Sequence, residues 1–246
     1  MIEYNYKTLQ SLKYAKHRQF HNKFIIEGKR IVESALSINA NIGPVFCSDN
    51  FLKENKTWVR KHLKKNIKIK IIDKKNLNKV SNTKSPQGIL TICEIPKQNP
   101  IKLTVDKWIY LDKISDPGNM GTLIRSCAWF GIKNIALSTN CADPYNPKSI
   151  RAAMGAHFVV TLHKNTDLKI FKKTHKIIAA DLKGRNASAY EFSNKCVLVL
   201  GSEAHGISNK NQDYIEDFIF INKLGSGNSL NVSTAGSILI YLLMKN

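Results

Sequence analysis

Three short clusters in this chain combine residue types and spacings able to do chemistry on a polar ligand. The last runs from Asn222 to Gly236: a loop bearing Gly225 and Gly227 ends in Ser229, Asn231, Ser233 and Thr234, just where apolar residues recur at helical spacing, Ile238, Leu239, Leu242 and Leu243. Polar side chains and backbone N–H groups are thus expected together at a helix N-terminus, which can grip an anion, a carboxylate or a polar cofactor. The same residue types also serve as plain caps. The second cluster, Gly201-x-Glu203-x-x-Gly206, follows the apolar run Val197 to Leu200. Glycines there permit a tight turn and close approach to a ligand, and Glu203 suits either a helix cap or a site. The first is Asp116-Pro117-Gly118-Asn119-Met120-Gly121-Thr122-Leu123-Ile124-Arg125. Asn119 is the expected N-cap of a helix whose apolar stripe is Met120, Leu123, Ile124, Cys127 and Ala128. Arg125 lies roughly 140° around that helix from Met120, off the stripe, where it either reaches a neighbouring site or is solvated.

All three clusters follow strand candidates. Beyond a proline-marked linker, residues 97–104, apolar runs at Trp108 to Leu111, Asn134 to Ser138, Phe158 to Leu162, Lys176 to Ala180, Val197 to Leu200 and Phe218 to Ile221 alternate with segments able to form helices. Runs apolar on both faces suit a parallel sheet covered on two sides, and ligands of such sheets gather in loops beyond the strand C-termini. Before the linker, runs at Lys23 to Glu27, Pro44 to Cys47, Ile67 to Ile72 and Gly88 to Ile95 alternate with helical stretches Lys29 to Ser37, Phe51 to Lys65 and Lys75 to Val80. The expected organisation is therefore a small α/β domain over residues 1–96 and a larger one over 105–246.

With 246 residues the chain can bury one large core or two modest ones. Its 38 Lys and Arg against 18 Asp and Glu give a formal charge of +20, which favours a polyanionic partner. No apolar run approaches the roughly 20 residues needed to span a bilayer, and the first residues lack a signal-peptide pattern, so nucleic acid is favoured over a membrane. Five scattered cysteines without Cys-x-x-Cys spacing fit a reduced cytoplasm with neither disulfides nor zinc, and the seven histidines do not cluster as metal ligands.

Taken in order, the three clusters resemble the motifs of the SpoU family of RNA ribose methyltransferases, also called TrmH: Asn119-x-Gly121-x-x-x-Arg125, Gly201-x-Glu203-x-x-Gly206 and Ser229-Leu230-Asn231-Val232-Ser233-x-Ala235. The stretch Asn146 to Gly155 is similar to the family's segment between its first two motifs. Phe24 to Arg30 and Ser85 to Leu90 resemble its substrate-binding domain, which is similar to the L30e ribosomal protein fold. Two departures stand out: Asn222-Lys223 replaces the usual Pro-Met after Ile221, and Ala153 stands where serine is common, removing a possible phosphate contact.

The resemblance implies an α/β methyltransferase domain with a deep trefoil knot, which composition and periodicity do not indicate. It implies S-adenosylmethionine as cofactor, with Leu200, Gly201, Ile221 and Leu230 lining its pocket, and transfer of its methyl to a ribose 2'-hydroxyl. Arg125 is the implied catalytic residue; Asn119 would orient the ribose or Arg125, Ser229 and Asn231 would fix the hydroxyl and the third loop, and Glu203 would hold the local network. A homodimer is implied, and Lys13, Lys16, Arg18, Lys23, Lys29, Arg30, Lys148 and Arg151 are the expected RNA contacts. Large-subunit ribosomal RNA is favoured over transfer RNA because an N-terminal domain is present. A non-catalytic RNA-binding or ribosome-assembly protein is the alternative class, while a dinucleotide oxidoreductase is disfavoured by the lack of Gly-x-Gly-x-x-Gly.

Overall fold

The computed structural model describes residues 5–63 and 67–245. It divides into two compact units, Met1–Pro96 with Asp143–Phe158, and Lys97–Ala142 with Val159–Asn246. The segment Asp143–Phe158 thus packs with the first unit although it lies within the span 105–246 in sequence.

The first unit contains α1 (Tyr6–Ser11), α2 (Ala15–His21), β1 (Lys23–Glu27), α3 (Lys29–Ser37), β2 (Ile42–Cys47), α4 (Asp49–Glu54), α5 (Lys56–His62), β3 (Ile69–Ile71), α6 (Lys74–Val80) and β4 (Ile89–Glu94). Its sheet has the order β1-β4-β2-β3, with β4 antiparallel to both neighbours and β2 parallel to β3. Leu9, Leu12, Phe46, Ile72, Leu77, Val80, Leu90 and Ile92 form its core. The expected helix from Phe51 to Lys65 is instead two helices meeting at Asn55, whose backbone leaves the helical region and whose amide donates to the Phe51 carbonyl. Lys64 and Lys65 lie outside the described residues.

In the second unit come β5 (Lys107–Leu111), α7 (Pro117–Trp129) and β6 (Asn134–Leu137). Helix α8 (Pro147–Ala153) belongs to the first unit. The second unit resumes with β7 (Thr161–His163), β8 (Lys176–Asn186), β9 (Cys196–Leu200), α9 (Asn209–Gln212), β10 (Asp217–Phe220) and α10 (Val232–Lys245). Its six strands, in the order β10-β8-β9-β5-β6-β7, are all parallel, as expected for strands apolar on both faces. Strand β9 is buried throughout, and Trp108, Tyr110, Val197, Val199 and Phe171 centre the core. Strand β8 continues past the expected Ala180 because its pairing with β10 resumes after a bulge. Gly184 sits in that bulge at φ +125°, and a Cβ there would meet the Phe218 carbonyl oxygen at 2.1 Å. No helix among the described residues is long and apolar enough to cross a membrane.

Candidate active site

Strand β9 delivers the second cluster. At its end the chain doubles back at once, because Ser202 and Gly206 exchange two backbone hydrogen bonds, 3.0 and 2.9 Å. A Cβ on Gly201 would lie 2.4 Å from the Gly206 carbonyl carbon, so the glycine is required by the closure of its own loop. Both ends of that loop are held by Asp112, which directly follows β5. Its N–H donates to the Leu200 carbonyl (2.8 Å), and its Oδ2 accepts from the Ser208 N–H (2.8 Å). Asp112 is 1% exposed, and its Oδ1 has no partner among the described residues. Sequence reasoning missed it; an aspartate placed immediately after the apolar run Trp108 to Leu111 was the available signal.

The loop carries Glu203 to a junction of all three clusters. Glu203 Oε1 accepts from Asn119 Nδ2 (2.7 Å), Asn231 Nδ2 (2.6 Å) and the Val232 N–H (3.4 Å), while Asn231 Nδ2 also donates to Asn119 Oδ1 (3.1 Å). Asn231 is the N-cap of α10, its Oδ1 accepting from Ser233 N, Ser233 Oγ and Thr234 N at 2.9, 2.6 and 3.3 Å. The first-turn donors of α10 are therefore taken within the chain, and the carboxylate gripped at this helix end is that of Glu203. The helix starts at Val232, six residues ahead of Ile238, because this capping stabilises its polar first turns.

Asn119 is not the cap of α7. Asp116 is, accepting from the Asn119 N–H at 2.9 Å, and Pro117 follows at the first helical position, where a missing N–H costs nothing. This places Asn119 in the first turn with its side-chain amide free to reach Glu203 and Asn231. Beneath the junction α7 packs on α10 through Gly236, where a Cβ would come within 2.4 Å of Leu123 Cδ2 and 2.8 Å of Leu200 Cδ1. Ser126 and Ser237 share a hydrogen bond of 2.7 Å across the same pair.

The remaining expected site residues are not joined to this network. Arg125 is exposed on α7 and makes no hydrogen bond or ion pair among the described residues. Ser229 and Leu230 lie in the exposed, irregular stretch after β10, and Ile221 is half-buried at its start. Leu200 is a core residue against Gly236. Lys223, one of the departures from the family pattern, donates to the Gly227 carbonyl (3.1 Å) and so braces that stretch. No group of His, Cys, Asp and Glu able to hold a metal occurs among the described residues.

The basic residues expected at RNA divide sharply. Arg18 is a correction: it is 2% exposed, its Nη2 and Nε donate to Asp143 Oδ2 (2.5 and 2.9 Å), and its Nη1 donates to the Leu12 and Lys13 carbonyls. A buried guanidinium making four hydrogen bonds to three acceptors is an internal tie, unavailable to a phosphate. Lys13 donates to the Ser81 carbonyl, Lys23 pairs with Glu94, Lys29 donates to Asn55 and lies over the Trp58 ring, and Arg151 donates to the Asn82 carbonyl. Lys16, Arg30, Lys148 and Arg151 are exposed. Ala153 is 1% exposed, so a phosphate contact is not what the missing hydroxyl removes.

In the first unit, Phe24 to Arg30 and Ser85 to Leu90 also meet. Strands β1 and β4 pair, and Gln87 Oε1 caps α3 at the Lys29 N–H (2.9 Å). Glu27 gathers Ser81 Oγ, Thr83 Oγ1 and the Asn82 N–H, fixing the loop before β4.

Comparison with known proteins agrees over nearly the whole chain. The model of the SpoU rRNA Methylase family matches residues 106–241, and that of the MRM3-like substrate binding domain matches residues 5–91. The 23S rRNA guanosine 2'-O-methyltransferase RlmP of Bacillus subtilis is 27% identical over 243 residues, covering 96% of this chain and 94% of the relative. The mitochondrial rRNA methyltransferase 3 of Homo sapiens is 32% identical over 192 residues, 72% of this chain but 44% of that protein. The crystal structure of the SpoU methyltransferase AviRb from Streptomyces viridochromogenes, in complex with AdoMet, shares the fold with a TM-score of 0.86 at 20% identity, covering 99% of this chain and 97% of that one. With more than half of its length matched by the catalytic-domain model, the chain belongs to the SpoU rRNA methylase family and carries an MRM3-like substrate-binding domain at its N-terminal end.

Proposed function

We propose that this protein methylates a ribose 2'-hydroxyl in ribosomal RNA, using S-adenosylmethionine. The observation that carries the reading is the junction of Asn119, Glu203 and Asn231, which draws the three motif loops together beyond the C-terminal ends of β5, β9 and β10. The residues present fit an adenosine-bearing cofactor. Leu230 is 51% exposed, Ile221 is half-buried, and the loop from Asn222 to Leu230 is exposed and irregular, so its main-chain groups are accessible to a ligand. Gly201, needed for the tight turn, brings the backbone of the second loop to the same end of the sheet. When bound, the cofactor supplies an electrophilic methyl group.

The protein's own part is to place and activate the attacking oxygen. A ribose hydroxyl is a poor nucleophile near neutral pH and must shed a proton as it attacks. A guanidinium offers five N–H donors and no acceptor, so the role of Arg125 is to stabilise the developing alkoxide rather than to take the proton. Ser229 orients the hydroxyl, and the Asn119–Glu203–Asn231 junction holds the loops in register, since methyl transfer demands near-linear approach within about 3.5 Å. A second copy of the chain would complete the site: the packed α7 and α10 expose Trp129 (81%), Ile238 (37%) and Tyr241 (46%).

Single-turnover transfer of labelled methyl to ribosomal RNA tests the assignment. Arg125→Ala is expected to lower the rate at least 100-fold, about 2.7 kcal/mol of barrier, with cofactor affinity by calorimetry unchanged. Loss of cofactor binding in that variant would remove Arg125 from the acceptor side.

A further inference from the structure

Helix α2 carries rings where a surface helix usually carries charge. Phe20 is 82% exposed and Tyr14, its N-cap, is 67% exposed. They are not isolated. Tyr14 meets His17 edge-on at 6.4 Å, His17 stacks on His21 at 6.3 Å with 18° between planes, and Phe20 meets His21 edge-on at 4.9 Å. At about 100° per residue, Lys16, Phe20, His17 and His21 follow one another around an arc of roughly 140°, and the N-cap Tyr14 joins them through His17. Arg18 points inward to Asp143 and fixes the helix on the unit. The array is therefore an ordered surface rather than a set of loose side chains.

Its charge selects the occupant. From Asn5 to Ile26 the chain has no acidic residue and five basic ones, of which Arg18 is tied to Asp143 and Lys23 to Glu94, so that Lys7, Lys13 and Lys16 carry the local positive charge. A strip of aromatic faces bordered by lysines complements a polyanion that offers flat faces of its own. Nucleic acid is such a partner, and in duplex form its base faces are hidden, so only unpaired bases can stack here. We infer that α2 is a stacking platform for unpaired bases of the RNA substrate, with Tyr14 and Phe20 as the stacking rings and Lys16 beside them on a phosphate. This rests on the reading of RNA as substrate and adds which part of the RNA the first unit grips.

The test measures binding of full-length protein to an unstructured uridine-rich single strand and to a duplex of equal length, each over a series of salt concentrations. The Tyr14→Ala, Phe20→Ala double variant is expected to bind the single strand about 10-fold more weakly with the slope of log K against log salt unchanged, and to bind the duplex as wild type does. Lys16→Ala is expected to make that slope shallower by about one phosphate contact. Both changes are at exposed positions, and circular dichroism verifies the fold. Equal losses on single strand and duplex, no loss on the single strand, or an altered sedimentation coefficient of the double variant would each overturn the inference, the last by showing the rings to be a protein interface. Methyl transfer by wild-type protein is measured alongside: ring-dependent single-strand binding without transfer would sink the catalytic reading and leave this one standing.

Discussion

Two polar clusters in this chain are built from similar groups and differ in their exposure to water. One is the junction of Asn119, Glu203 and Asn231, whose contacts lie at the surface. The other, in the first unit, ties Asp143–Phe158 in place: Arg18 pairs with Asp143, Ser149 Oγ donates to the Asp143 carbonyl, and the buried His157 holds the Pro144 carbonyl through Nε2 at 2.7 Å. Each spans many residues of sequence. In water, an exposed contact is nearly balanced by the hydrogen bonds it replaces, whereas a buried group that loses its partner keeps its full desolvation cost. The difference teaches that the inner cluster is where polar groups hold the fold, and the outer one is where they hold a geometry.

The largest effect should come from breaking the inner pair. Asp143→Ala leaves the Arg18 guanidinium, 2% exposed, with only carbonyls around it, and is expected to cost about 3 kcal/mol in urea unfolding. Replacing both partners by apolar residues, Arg18→Met with Asp143→Leu, should recover much of that loss. A double variant as unstable as Asp143→Ala would show that the carboxylate acts through its other bond, to the Tyr145 N–H.

His157 sharpens the same side of the comparison through pH. Burial lowers its pKa from the ordinary 6.5 to about 4, against the smaller opposing effects of the Pro144 carbonyl and Asp143. At neutral pH the ring is uncharged in folded and unfolded chains alike. As pH falls below 6.5, the unfolded chain takes up a proton that the folded one refuses until about pH 4, so stability is lost across that window. At pH 5 the loss is roughly 2 kcal/mol. Measured as the difference between wild type and His157→Gln, the loss of stability on acidification should be smaller in the variant by that amount, while His163 and His175, whose pKa values burial also lowers, keep their own share; an unchanged slope would mean that His157 is not the group refusing the proton.

The same contrast governs what could be read from sequence. Strand β9 was legible because Val197, Leu198, Val199 and Leu200 are apolar on both faces, and the three motifs were legible because each follows such a strand. Arg18 was misread as an RNA contact because its partner Asp143 is 125 residues away and nothing local marks it as internal. Asn119 looked like a cap on propensity, yet Asp116 with Pro117 next to it takes that place and releases Asn119 to the junction. The strand expected over Phe158 to Leu162 falls instead on Thr161–His163, since Ala156–Phe158 forms a 3-10 turn after Gly155 at φ +93°. In each case apolar periodicity located the element, and a tertiary polar contact decided its end or its role.

The outer cluster should show the smallest effect on stability and a clear one on chemistry. Glu203→Gln keeps the size of the side chain and, with its amide oxygen at the position of Oε1, can keep all three donors, but it exchanges a carboxylate for a neutral acceptor and so weakens each of these charge-assisted bonds. The exposed position limits the change in unfolding free energy to about 0.5 kcal/mol. The register of the three loops is less forgiving, because a small displacement of the attacking oxygen is costly in a transfer that needs near-linear approach. Single-turnover methyl transfer is therefore expected to fall at least 10-fold, about 1.4 kcal/mol of barrier. A variant that loses 2 kcal/mol or more of stability would place Glu203 with the inner cluster and erase the distinction; full activity at unchanged stability would show that the junction orders the loops without setting the reaction.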